Sequence, residues 1–142
     1  MLGERESEFV SQALKNNYPN EGRLTREFEG KIAECLGVSH AIAVTSGTAA
    51  IFLALKAIGV RPGDEVIVPD LTFIATANAV DLCGATPVLV DIDPTTLGID
   101  PAMLDAAISP QTKAIVPVHV SGRSARLSEI QEIAERRDVI II

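Results

Sequence analysis

No basic cluster, no tryptophan and no long apolar run occurs in this 142-residue sequence. Twelve Lys and Arg stand against nineteen Asp and Glu, a formal charge of −7. Without a basic block the chain is poorly suited to a nucleic-acid or anionic-membrane surface, because phosphate backbones demand clustered cations. No apolar stretch reaches the roughly 18 residues of a membrane helix, and no N-terminal apolar segment follows a basic start. The expectation is a soluble, cytoplasmic chain that handles small molecules, with neither nucleic acid nor membrane among its partners. Cysteine is scarce too: Cys35 and Cys83 are the only two. They lie far apart without metal-ligand spacing, each in an apolar helical context, and so read as reduced core residues. No metal site is expected.

What is present is apolar and periodic. Hydrophobic residues make up 47% of the chain, which excludes disorder and predicts one globular unit. Residues 4–16 read as a helix with Phe9, Val10, Ala13 and Leu14 on one face, followed by a loop carrying Tyr18. Thr25 is placed to cap a second helix whose inward face is Phe28, Ile32, Ala33 and Leu36, closed by Gly37. Residues 1–39 thus form a helical preface. From residue 40 to 142, strands predicted at 40–44, 65–68, 87–91, 113–117 and 138–142 alternate with helices near 47–58, 73–83, 101–108 and 127–136. Each strand is almost continuously apolar, so both sheet faces must be covered. The fold class is α/β, a three-layer sandwich with a mainly parallel sheet.

Ligands of such sheets sit beyond the carboxyl ends of the strands. Those ends bring forward Thr45–Thr48, Pro69–Phe73, Asp91–Asp93 and His119–Gly122. At the first, Ser46 is a good N-cap, Gly47 permits close approach to the backbone, and Thr48 adds a hydroxyl beside the free amides of Thr48 and Ala49. A helix start of this kind holds a phosphate through its unpaired N–H groups and its dipole; the plainer reading is a helix that merely begins there. Only Lys56 interrupts the apolar run 49–58, so the helix is expected to be covered on both faces, a partner subunit included. Phe73, one of four phenylalanines, either stacks on a flat heteroaromatic or packs in the core. His119 is either a ligand contact or a polar residue hydrogen-bonded at a strand end. Asp91-Ile92-Asp93-Pro94 reads as a turn rather than a metal pair. A dinucleotide fold is unsupported, since the corner has one glycine where that turn needs three, and no Gly-Lys-Thr or Gly-Lys-Ser loop occurs.

Taken in order, Ser46-Gly47-Thr48-Ala49-Ala50, Pro62-Gly63-Asp64-Glu65-Val66-Ile67-Val68-Pro69, Thr72-Phe73-Ile74-Ala75-Thr76-Ala77-Asn78, Gly84-Ala85-Thr86-Pro87-Val88 with Asp91-Ile92-Asp93, and Thr112–His119 resemble the DegT/DnrJ/EryC1/StrS family of sugar aminotransferases. The resemblance covers nearly the whole chain, from about Tyr18 and Gly22 onward. It implies the N-terminal part of the large domain of a fold-type-I enzyme using pyridoxal phosphate. Such an enzyme passes an amino group from glutamate or glutamine to a keto sugar, usually nucleotide-linked, and works as a homodimer. Mapped residue by residue, Ser46, Gly47, Thr48 and Ala49 would hold the cofactor phosphate and Phe73 would stack on its ring. Tyr18, Asn78 and His119 would be substrate or partner-subunit contacts.

The same resemblance implies parts beyond Ile142: an Asp for the pyridine nitrogen, the Schiff-base Lys, and a small C-terminal domain. None of Lys15, Lys31, Lys56 and Lys113 is placed to substitute. The 142-residue chain by itself is therefore expected to be inactive, with no catalytic residue of its own. Strands after the fifth would also lie beside the first, so residues 40–44 are expected to lack their usual neighbour. Two alternatives keep the resemblance: a sugar dehydratase or deoxygenase with the same cofactor, or a truncated, non-catalytic binding protein.

Overall fold

The computed structural model describes residues 3–15 and 22–142; Tyr18 lies outside them. The chain divides into two compact units, Met1–Val44 and Thr45–Ile142.

The first unit holds α1 (Glu4–Lys15) and α2 (Arg23–Leu36). Glu4 and Glu6 in the first turn of α1 and Lys15 in its last suit the helix dipole. Helix α2 begins two residues before Thr25, with Gly22 at the N-cap and no side-chain cap. Thr25 is therefore inside the helix rather than its cap, and Arg23 pairs with Glu27 one turn on. Gly37 ends α2 as expected: at φ 66° it lets the Val38 amide reach Ala33 O at 3.0 Å. The expected inward faces are not buried: no described residue of α1 or α2 is, and Phe9, Leu14, Phe28 and Leu36 are exposed. Cys35 is exposed with them, so only Cys83 is the core cysteine that composition led one to expect. Two short helices lack the surface to cover both apolar stripes.

Residues 40–44 form no strand. A strand exists only against a neighbour, and none pairs with this segment among the described residues. Ala43 N–H instead donates to the Glu29 carboxylate at 2.8 Å, and Ile42 is 81% exposed.

The second unit runs α3 (Gly47–Ala57), β1 (Glu65–Pro69), α4 (Ala75–Leu82), β2 (Thr86–Val90), α5 (Pro101–Ala107), β3 (Thr112–Ile115), a 3-10 turn (Val120–Gly122), α6 (Leu127–Arg137) and β4 (Ile140–Ile141). The four strands are parallel in the order β2-β1-β3-β4. Strand alternation sorts the core into two layers. Val66, Val68, Ala114 and Val116 point to one face, where Leu55 of α3, Ala79 and Val80 of α4 and Cys83 at its C-cap meet them. Ile67 and Ile115 point to the other, against Leu104 of α5 and Ile130, Ile133 and Ala134 of α6. Asp100 caps α5 by accepting the Ala102 amide at 2.9 Å, with Pro101 as the first helical residue.

Within this unit helix α3 is covered on one face only. Leu55 is buried and Ile51, Phe52 and Ile58 pack beside it, whereas Leu53 is 48% exposed. The second cover that its apolar run led one to expect is not supplied by this unit.

Strand β2 forms one margin of the sheet and carries Pro87. Thr86 N–H donates to Asp64 O, and Val90 O accepts from Asp70 N–H. Even-numbered residues of β2 therefore turn their backbone groups to β1, and Pro87 faces outward.

Candidate functional site

Topology fixes where a ligand can sit. From β1 the chain crosses through α4 to β2 on one face of the sheet. From β3 it crosses through α6 to β4 on the other. Neighbouring strands whose connections leave to opposite faces open a crevice at their carboxyl ends. The segment after β1 carries Phe73 and the segment after β3 carries His119, so both belong to that crevice. Helix α3 leads into β1 and packs on the same face as α4, which directs its N-terminus to the same edge of the sheet.

At that N-terminus Ser46 has extended backbone (φ −164°, ψ 162°), and its hydroxyl accepts the Ala49 amide at 3.2 Å. Its carbonyl accepts the Ala50 amide at 3.0 Å. That second bond is the first regular one of the helix; of the amides a helix start leaves over, the cap takes that of Ala49, and those of Gly47 and Thr48 have no acceptor among the described residues. The open pair is Gly47 and Thr48, not Thr48 and Ala49 as the sequence led one to expect, because the cap itself takes Ala49. A Cβ placed on Gly47 would meet nothing within 4 Å. The Cβ side of Gly47 is therefore clear, and two amides without acceptors at a helix start suit a phosphate-sized anion.

Phe73 stands on the loop between β1 and α4 and is 78% exposed, so it is not a core residue. Its neighbours are tightly held: Thr72 Oγ1 lies 2.9 Å from Thr76 Oγ1, and the Thr76 amide donates to Phe73 O at 3.0 Å. Asn78 is exposed on α4. His119 is also exposed, and its Nδ1 accepts the Ala125 amide at 3.0 Å. That bond assigns the ring proton to Nε2. The histidine thus has the hydrogen-bonded role of a strand-end residue while leaving an N–H donor outward.

The segment that follows is clamped to the hairpin after β2. Asp93 accepts the amides of Thr95 at 2.7 Å and Thr96 at 2.9 Å, and Arg126 Nη1 approaches its other oxygen at 3.3 Å. These bonds, the Thr96 amide first, hold its carboxyl below the usual aspartate value. Asp91 accepts the Ile92 amide at 2.8 Å. The acidic pair is a turn, as its sequence implied. Gly98 is buried so close to Ala125 that any Cβ there would stand 2.9 Å from the alanine's Cβ. Neither this clamp nor the Thr72–Thr76 pair was singled out from sequence. For the latter the available signal was two threonines spaced four apart across a helix start.

Lys56 lies in the last turn of α3, where its ammonium donates to Val60 O at 3.3 Å. It is at the wrong end of that helix for the Gly47–Thr48 corner. Among the described residues no helix is long and apolar enough to cross a membrane.

Comparison with known proteins bears on the whole chain. The model of the DegT/DnrJ/EryC1/StrS aminotransferase family matches residues 1–142. GDP-perosamine synthase of Caulobacter vibrioides is 49% identical over 142 residues, covering 99% of this chain and 38% of that protein. The crystal structure of 3-amino-5-hydroxybenzoic acid synthase superposes with a TM-score of 0.94 at 37% identity, over 99% of this chain and 37% of that one. NtdA from Bacillus subtilis, solved with bound cofactor PMP, superposes with a TM-score of 0.89 at 38% identity, over 99% and 33%. The chain therefore spans little more than a third of the relatives it matches.

Proposed function

The chain belongs to the DegT/DnrJ/EryC1/StrS aminotransferase family, and from that membership we propose that it is the N-terminal portion of a pyridoxal-phosphate-dependent sugar aminotransferase. The substrate is a keto sugar, nucleotide-linked, and the amino donor is glutamate or glutamine; the enzyme is a cytoplasmic homodimer. In this reading residues 1–39 are a helical preface and residues 40–142 part of the cofactor-binding domain.

The observation that carries the reading is the pair of unpartnered amides at Gly47 and Thr48, preset by the Ser46 cap. They bind the phosphate with the dipole of α3 behind them. Phe73 offers its exposed face to the pyridine ring. When bound, the cofactor supplies the electron sink for amino transfer. Asn78 and His119 orient the substrate, His119 through the proton that its bond to Ala125 keeps on Nε2. Tyr18, outside the described residues, is assigned to substrate or to the partner subunit by family pattern alone.

Gly47→Pro tests the corner. Proline is well tolerated as the first helical residue, and the extended Ser46 suits the position before it. Only the amide at Gly47 is lost. An amide donated to an anion contributes about 1.5–3 kcal/mol, so pyridoxal phosphate affinity should fall about 10- to 150-fold while Tm stays near that of the parent. The proposal fails if the parent binds pyridoxal phosphate no better than pyridoxal, or if Gly47→Pro binds like the parent.

A further inference from the structure

We propose that Thr76 is a positioning residue for Phe73, acting through Thr72 and through its own backbone amide; the link from ring placement to cofactor binding rests on the function proposed above. The Phe73 ring is 78% exposed, so little side-chain packing sets where it stands. Its backbone must do so. Both flanks of Phe73 converge on one residue: the hydroxyl of Thr72, just before it, meets Thr76 Oγ1 at 2.9 Å, and Phe73 O accepts the Thr76 amide at 3.0 Å. Thr76 is 4% exposed, the one buried polar or charged residue among those described, and sits in the first turn of α4 beside the buried Ala75, Ala79 and Val80. That anchorage ties the loop to the core layer beneath it.

The arrangement also explains an absence. The N-cap position of α4 is Ile74, which has no side-chain acceptor. The Thr72 hydroxyl, two residues earlier, bonds a side chain and not a free helix amide. The bond is therefore spent on the course of the loop and not on ending the helix. A hydroxyl pair of this kind constrains the three residues between its ends more than it stabilises α4.

The reporter is a single tryptophan. The chain has none, and the exposed site accepts Phe73→Trp. In the purified chain, time-resolved fluorescence anisotropy of that indole is measured in the Thr76→Val, Thr72→Val and doubly substituted backgrounds. The limiting anisotropy should fall in each single variant and fall no further in the double, because the two hydroxyls make one bond. Thr76→Ser keeps the hydroxyl and should restore it. With the native Phe73 in place, Thr76→Val should weaken pyridoxal phosphate binding about 2- to 10-fold. Unchanged anisotropy in Thr76→Val, or additive losses in the double variant, overturns the inference. Because the indole readout needs no cofactor, that result is distinct from a parent chain that fails to bind pyridoxal phosphate.

Discussion

Replacing Gly98 by alanine is the most direct test of how the His119 segment is held. The added Cβ would lie 2.9 Å from Ala125 Cβ and 3.1 Å from its Cα, with Val118 O at 3.6 Å. Carbon atoms in ordinary contact stand about 3.5–4.0 Å apart, so the new methyl intrudes by roughly 0.6–1 Å. None of the atoms it meets is the end of a flexible side chain; relief requires the backbone of residues 118–125 to move. Overpacking of this kind costs about 1–3 kcal/mol, and the stiffer unfolded chain returns about 0.4–1 kcal/mol. The net loss is then about 1–2 kcal/mol, which for a unit of this size lowers Tm by roughly 4–16 °C. Urea unfolding followed by circular dichroism measures it, with an unchanged slope m as the sign that only stability has moved. Ala125→Gly in the same chain removes the closest contact and should recover part of the loss, a coupling visible in a double-mutant cycle. A Gly98→Ala chain as stable as its parent would refute the close approach on which this reasoning depends.

Other expectations follow from single residues. The Asp93 carboxyl is held below its ordinary value by the Thr96 and Thr95 amides and then by Arg126, so it stabilises the fold above the unfolded aspartate value of about 3.9 and loses that contribution as pH falls through the lower folded value. Asp93→Asn keeps the turn and should flatten the acid limb of a Tm-versus-pH curve below about pH 4. Leu55→Ala, at a fully buried position, should cost about 2–5 kcal/mol in urea unfolding, whereas Leu53→Ala, on the open side of the same helix, should stay within about 0.5 kcal/mol. Burial raises the Cys83 thiol, against a smaller opposing effect of Lys56. A thiol reagent should therefore modify Cys35 in the native chain and reach Cys83 only after unfolding, as mass spectrometry of the modified peptides would show.

The sheet and its helices were legible because their signals are local. Apolar runs at 65–68 and 113–117, the Asp100-Pro101 start and the Gly37 stop each carry their own chemistry, and each lies within a residue or two of its expected bounds. The failures concern surfaces whose counterpart is not in the same stretch. Residues 40–44 have strand composition, but no strand lies beside them. The stripes of α1 and α2 and the free side of α3 have core composition with nothing in their own unit to cover them. At the site, Ser46 was readable as a cap, yet which amides it consumes depends on where its hydroxyl turns. The Gly98–Ala125 approach joins residues far apart in sequence and leaves no local mark.

The outward-facing Pro87 gives the sheet a direction of growth. An added strand would have to be met by N–H donors along the free margin of β2, and at Pro87 there is no donor to give. That margin is blunted chemically, by one missing hydrogen. The opposite margin, at β4, has no proline, since Ile140 and Ile141 form it. Any strand that extends this sheet is therefore steered to the side of β4.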